Sequence, residues 1–264
     1  MRIDTAIASQ INRNLSTQLA AAGQAMKRLS TGQRINQASD DAAGLAISQR
    51  LLAEMTAADR GSDNVLDGIS MLQTAEGALG QTTEMIHRAR ELAVQAGNGT
   101  LSAEDRAAIN MEFQALKQGI DDIARSTEWN TKKLLDGSQT SVNIQSGARD
   151  STTFSLPNAS SGALGLSGLD ANDAGASIAA LGSALESVLS SRSQIGARIN
   201  GMQKSWEVRQ VQSQNMAAAT SRIRDADFAK EVTNLTTANI MSQASLAMAA
   251  QVQKMNASAL SLLR

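Results

Sequence analysis

Few groups in this chain of 264 residues are equipped for chemistry. His87 is the one histidine, and cysteine is absent, so the ordinary zinc ligand sets cannot be assembled. No Ser–His–Asp order or H-E-x-x-H run surrounds His87. A lone His followed by Arg88 reads as a helix-surface residue. Glu91, Glu104, Asp105 and Glu112 could pair as acid and base. Helix capping at Ser102-Ala103-Glu104-Asp105 and solvated helix faces account for them with less machinery. Gly97-Asn98-Gly99 lies between two helical patterns, where it reads as a turn and not as a phosphate loop. Arg88 and Leu92 are four apart and share a helix face. With Glu112 they place a cation, an apolar side chain and an anion on two adjacent helices. No cofactor and no metal is called for, and the reading is non-enzymatic.

The elements that hold these residues are long helices. Tyr is absent, Trp occurs twice and Phe three times, while Met occurs eleven times. Large aromatics usually supply much of a globular core; small and flexible side chains suit seams between helices instead. The one proline, Pro157, leaves both flanks free for unbroken helix. Net charge is −1, which offers no positive field for nucleic acid. No run approaches the roughly 18 apolar residues that span a bilayer, and the N-terminus lacks the basic, apolar and cleavage regions of a secretory signal. Neither nucleic acid nor membrane is an expected partner.

Residues 1–31 predict a helix, with Ile3, Ile7, Ile11, Leu15, Leu19, Ala22, Met26 and Leu29 on one face. Ser30-Thr31-Gly32 stops it, and Ser39-Asp40-Asp41 caps the next. A helix over about 41–96 follows, roughly 80 Å long, with Val65, Ile69, Leu72, Leu79, Ile86 and Ala93 on a heptad seam. A third helix runs from the Ser102 cap to about Glu128. The middle, 130–172, turns rich in Ser, Gly, Asn and Thr. Val142/Ile144 and Phe154/Leu156 predict a β-hairpin near 140–156, and 158–172 reads as an exposed loop. Helix returns over 174–221 and from 226 to the end. There Met241, Ser245, Met248, Val252, Met255, Ala259 and Leu262 alternate four- and three-residue steps, the spacing of a coiled coil. Between Val232 and Arg264 only Lys254 and Arg264 are charged. Such a helix is expected to be buried against others, its own or a neighbour's. The fold expected is mainly α: a helical hairpin of the chain's two ends, plus a helical bundle with a short β-hairpin.

Two stretches go further. Leu29-Ser30-Thr31-Gly32-Gln33-Arg34-Ile35-Asn36 through Asp40-Asp41-Ala42-Ala43-Gly44-Leu45-Ala46-Ile47-Ser48, with Arg90-Glu91-Leu92-Ala93-Val94-Gln95, resembles the N-terminal signature of flagellins. Ser221-Arg222-Ile223-Arg224-Asp225-Ala226-Asp227-Phe228 and Leu260-Ser261-Leu262-Leu263-Arg264 resemble the C-terminal one. The likeness covers about residues 1–135 and 180–264.

The resemblance implies a minimal flagellin. A terminal coiled-coil domain (1–40 and 222–264) would line the filament's inner core, and a helical bundle (41–221) would form the outer tube. The middle is too short for an added outer domain. It implies a secreted homopolymer that serves motility in the extracellular flagellum. Subunits would leave through the type III export apparatus, with a cytosolic chaperone on the C-terminal helix, and meet cap and junction proteins at the filament. The seam for polymerisation would be Ile3, Ile7, Ile11, Leu15, Leu19, Met241, Met248, Val252, Met255 and Leu262. Those terminal helices would become ordered on meeting neighbours. Arg88, Leu92 and Glu112 match the positions by which Toll-like receptor five reads flagellins. The alternative in the same export family is a hook-filament junction protein, to which the DDAAG segment and the Ser-Leu-Leu-Arg ending are less similar.

Overall fold

Caps and left-handed turns set the helix boundaries. The computed structural model describes residues 2–262, and only the backbone of 2–5, 256 and 259–262. Of the expected seam, the side chains of Ile3 and Leu262 therefore lie outside the described residues. The first helix, α1, is Arg2–Thr31. Gly32 follows at φ +68°, a backbone conformation that glycine adopts without a Cβ penalty. The second, α2, is Ala42–Ala96. It is capped by Asp41, whose Oδ1 accepts the Gly44 N–H at 2.8 Å. The third, α3, is Ala103–Ser126 and carries the expected capping box: Ser102 Oγ accepts the Asp105 N–H at 3.1 Å, and Asp105 Oδ2 accepts the Ser102 N–H at 3.2 Å.

α3 stops short of the expected Glu128 because a small hairpin takes over there. Its strands β1 (Glu128–Trp129) and β2 (Lys132–Lys133) pair antiparallel around Asn130 and Thr131, at φ 46° and 65°. The turn contains no glycine, so the usual sequence signal is missing. The expected hairpin is present as β3 (Ser141–Gln145) and β4 (Ser151–Ser155), with Val142 opposite Phe154. α4 is Ala174–Arg224 and α5 is Phe228–Leu262.

The chain divides into two compact units. One takes in residues up to Ala53 and from Asn215 onward; the other is Glu54–Gln214. The divisions fall inside α2 and α4, not at 40/41 and 221/222, because the start of α2 and the end of α4 are tied to the connectors of the terminal pair. The Arg34 N–H donates to Arg224 O at 2.7 Å, the Ala226 N–H donates to Gly32 O at 2.9 Å, and Gln33 bridges Asp225. Arg34 Nη2 adds a bond to Ile223 O at 2.6 Å. Ile35 is buried beneath, close to Gly44, where a Cβ would meet Ile35 Cδ1 and the Asp41 carboxylate. Asp40 Oδ2 accepts the Asn36 and Gln37 N–H groups at 3.0 and 3.1 Å.

In the second unit the heptad of α2 faces the core: Val65, Leu72, Leu79, Ile86 and Ala93 are all buried. Leu181, Val188, Ile195 and Met202 supply a matching seven-residue repeat from α4, and Phe113 and Ile120 come from α3. Glu76, a polar residue on the α2 seam, is held by Arg192 of α4, whose Nη2 donates at 2.6 Å. The β3–β4 turn is fastened from both sides. Asn64 of α2 donates to Gln145 O at 2.8 Å, and Arg209 of α4 donates to Asp150 Oδ2 at 2.9 Å. Gly61 leaves no room for a Cβ against the Ser146 carbonyl.

The segment 158–172 is not the exposed loop its composition suggests. Ala159, Leu164, Leu166 and Ala171 are buried in the same core. Side chains of α3 anchor it: Asp121 accepts the Ser161 N–H and Oγ–H, each at 2.7 Å, and Gln114 donates to Leu169 O at 2.9 Å. Its Ser and Asn residues close local turns, so polarity here marks turn chemistry and not solvent. Leu166→Ala is therefore expected to destabilise the folded subunit by about 2–4 kcal/mol. A truly exposed loop would change by no more than about 0.5 kcal/mol. Urea denaturation of the two proteins decides between these.

A second expectation concerns the connector. N–H donation from Asn36, aided by Gln37 and the nearby charges of Lys27 and Arg28, lowers the Asp40 carboxyl below its ordinary value of 3.8. A depressed carboxyl contributes stability above its unfolded value, and that contribution is lost as pH falls through the folded one. Exchange of the Asn36 and Gln37 amide protons should thus stay slow at pH 5 and lose protection below about pH 3.8. Asp40→Ala should remove that pH dependence.

Candidate assembly surfaces

The terminal pair is lined mostly by small residues and leaves many of its large apolar ones outside. α1 and α5 run antiparallel, as the Arg34–Arg224 and Arg28–Glu231 contacts show in turn. Along α1 the residues turned inward are Ala8, Ile11, Leu15, Gln18, Ala22 and Ala25; along α5 they are Leu235, Ala238, Ser242, Ser245, Ala249 and Val252. Both columns alternate three- and four-residue steps. Mostly Ala and Ser, they let Cα atoms of the two helices approach within 8 Å, an approach rare between the helices of the other unit.

Among the described residues the charged contact on this seam is Arg28–Glu231 at 3.2 Å, with the Glu231 side chain 7 % exposed. Arg28 Nε is buried without a partner. Removing either residue would strand the other charge, the costly case for a buried pair.

The expected single seam therefore splits. Ile11, Leu15 and Val252 are half-buried within the pair. Ile7 (44 % exposed), Leu19 (59 %), Met241 (49 %), Met248 (58 %) and Met255 (62 %) point away from it. The reason is geometric. Steps of four, as in Ile7, Ile11, Leu15 and Leu19, advance about 40° each around the helix and drift off one face. On α5, Met241 and Met248 stand one residue before the inward Ser242 and Ala249, so the methionines form a shoulder. Phe228, Val232, Ile240 and Leu246 are exposed on the same helix. Contiguous apolar exposure of this kind is the usual property of association sites.

The second candidate lies on α2 and α3. Arg88 Nε and Nη2 donate to Glu112 Oε1 at 3.0 and 2.8 Å, and Nη1 donates to Glu91 Oε2 at 3.1 Å. These bonds, the Glu112 one foremost, raise the guanidinium's pKa further and keep it charged. All three side chains are about half exposed or more. Leu92 is not exposed with them. At 2 % exposure it belongs to the core, on the buried face shared by Ala89, Ala93 and Ala96. A four-residue step from Arg88 turns about 40°, enough to cross from rim to core. The exposed apolar side chain beside Glu112 is Met111, at 70 %, which sequence spacing alone did not single out.

His87 lies on the exposed face of α2, and Glu104 and Asp105 sit at the α3 cap. Among the described residues, no group of three His, Cys, Asp or Glu could hold a metal ion, and no helix is long and apolar enough to cross a membrane. A cavity of about 200 Å³ between β4 and α4 has a mixed lining, apolar from Leu72, Phe154 and Ile195 and polar from Ser191, Gln194 and Arg198.

The two kinds of residue in this patch should separate in a stability measurement. Leu92→Ala is expected to cost about 2–4 kcal/mol. Arg88→Ala should leave the denaturation midpoint nearly unchanged, because an exposed ion pair contributes little. Equal midpoints for the two variants would place Leu92 outside the core.

Comparison with known proteins agrees with this architecture. Residues 3–140 match the bacterial flagellin N-terminal helical region, and residues 178–263 match the C-terminal helical region. A flagellin of Halalkalibacterium halodurans is 41% identical, over 97% of each chain. The crystal structure of Bacillus cereus flagellin aligns with a TM-score of 0.51 and 29% identity, covering 60% of this chain and 94% of that one. A flagellar hook-associated protein of Vibrio parahaemolyticus shares the fold at a TM-score of 0.61 with 15% identity, over 70% of this chain and all of that one. At that identity the likeness concerns the fold alone. With both terminal regions matched and no large domain between them, this chain belongs to the bacterial flagellin family, whose members are structural proteins of the flagellar filament and not enzymes.

Proposed function

We propose that this subunit polymerises through its terminal pair into the extracellular flagellar filament, and so serves motility. The observation that carries the reading is the outward column of Met241, Met248 and Met255 beside Leu246 and Ile240, all about half exposed or more. A lone subunit leaves this surface wet; stacked copies would bury it, at about 25 cal/mol for each Å² of apolar area. In this reading α1 and α5 gain their full order on assembly, since isolated helices are marginal in water. Export through the type III apparatus, with a cytosolic chaperone covering α5, fits the same need to shield that helix beforehand. The two units correspond to an inner-core domain and an outer-tube domain, and cap and junction proteins would meet the same terminal surfaces.

Seeding purified monomer with filament fragments tests this. Long filaments should form, with helix content rising by circular dichroism. Met248→Asp would place a charge in a surface that must become dry, and Val252→Asp would place one inside the pair; each should cost several kcal/mol and abolish growth. Normal filaments from both variants would remove the terminal surface from assembly.

A second reading is recognition by Toll-like receptor five. The exposed, mutually bonded Arg88 and Glu112 support it; the burial of Leu92 narrows the apolar part of such a site to what surrounds it, Met111 included. Arg88→Asp should be at least about tenfold weaker than wild type on receptor-bearing cells, as expected for loss of an interface arginine. Equal potency, or a silent wild type, would dismiss this reading.

A further inference from the structure

We infer that the methionine shoulder of α5 is an oxidation-sensitive site: conversion of Met241, Met248 and Met255 to sulfoxides by a peroxide withdraws the free subunit from assembly. The inference rests on the polymerisation reading above. The chain has no cysteine and no tyrosine, so a mild two-electron oxidant finds no thiol, and thioether sulfur becomes its first target. The methionines among the described residues are not equivalent. Met71, Met202 and Met216 are at most 8 % exposed, whereas Met26, Met111, Met241, Met248 and Met255 are 49–70 % exposed. Three of the five exposed ones recur at seven-residue spacing on one shoulder of one helix. That helix has only Lys254 for side-chain charge between Val232 and Leu262. No other described surface concentrates oxidisable sulfur in this way.

The chemistry is oxygen transfer. A sulfur lone pair attacks one oxygen of hydrogen peroxide, the O–O bond breaks, the sulfur is oxidised by two electrons, and the other oxygen leaves as water. The flexible apolar side chain becomes a polar, chiral one with a strong hydrogen-bond acceptor. Inside the lone subunit this changes little, because the shoulder faces away from α1. In a dry contact between copies each sulfoxide oxygen would lack a donor, the arrangement that buried polar groups avoid. Filaments already formed would shield the same sulfurs, so the sensitivity belongs to subunits before assembly.

The test uses full-length protein treated with dilute hydrogen peroxide, peptide mass mapping, and seeded polymerisation. Three proteins are compared: wild type, the triple variant Met241→Leu, Met248→Leu, Met255→Leu, and wild type oxidised and then reduced with methionine sulfoxide reductases. Leucine conserves volume and apolarity, while Met26 and Met111 remain as oxidisable controls. Oxidised wild type should need about tenfold more subunit for growth for each buried sulfoxide. The oxidised triple variant should grow like its untreated form, and reductase treatment should restore wild type. Equal inhibition of wild type and triple variant, unimpaired growth of the oxidised wild type, or sulfoxides mapping to Met71 and Met202 before the shoulder would each overturn the inference. Failure of untreated wild type to polymerise would instead reject the assembly reading beneath it.

Discussion

The close approach of α1 and α5 is the constraint from which the rest follows. Two helices can touch at short range only if the residues between them are small. Ala22, Ala25, Ala238, Ser242 and Ala249 meet that condition. Meeting it leaves little apolar area inside the pair, because an alanine or serine buries far less than a leucine. The large side chains that the composition does supply, Leu19, Met26, Leu246 and the methionine column, are displaced to the outside. The pair is thus a weak core with a strong exterior. Its surplus apolar surface is what the proposed assembly would bury.

The other unit follows the opposite arrangement. Leu, Ile, Met and Phe from α2, α3 and α4 interlock in one core, and the β3–β4 hairpin closes one side of it. Three polar residues of its seams have partners: Glu76 with Arg192, Thr83 with the Leu79 carbonyl, Asp121 with Ser161. Trp206 Nε1 and the Nε atoms of Arg106 and Arg209 are buried without one.

Much of this was legible in the sequence, and the misses have physical causes. The helices α1, α2 and α4, the Ser102 box and the β3–β4 hairpin followed from periodicity and turn residues. The β1–β2 hairpin did not, because Asn130 and Thr131 take positive φ without a glycine. The Ser and Asn content of the segment after Pro157 suggests solvent exposure. Those residues bond to α3 and to their own turns, while Leu164 and Leu166 point inward. In the candidate sites, spacing placed Arg88 and Leu92 on one face, yet a face has an edge, and the boundary of burial falls between them. The seam in α5 was legible as a heptad; which column faces its own partner and which faces outward was not. That depends on the size of the residues across the gap, a property of two segments separated by most of the chain.

That separation carries a consequence of its own. Arg28 and Glu231 are 203 positions apart, so the loop closed by the terminal pair contains nearly all of the remaining chain. Contacts of such long range form late, since the ends must be brought together before anything is gained. A chain that appears from its N-terminus can complete α2, α3 and the hairpins while α1 still waits for its partner. Only when α5 is present can Gly32 and Ala226, Arg28 and Glu231 close the clasp. A copy shortened before α5 would therefore carry an unmatched first helix, with nothing to set its small-residue face against.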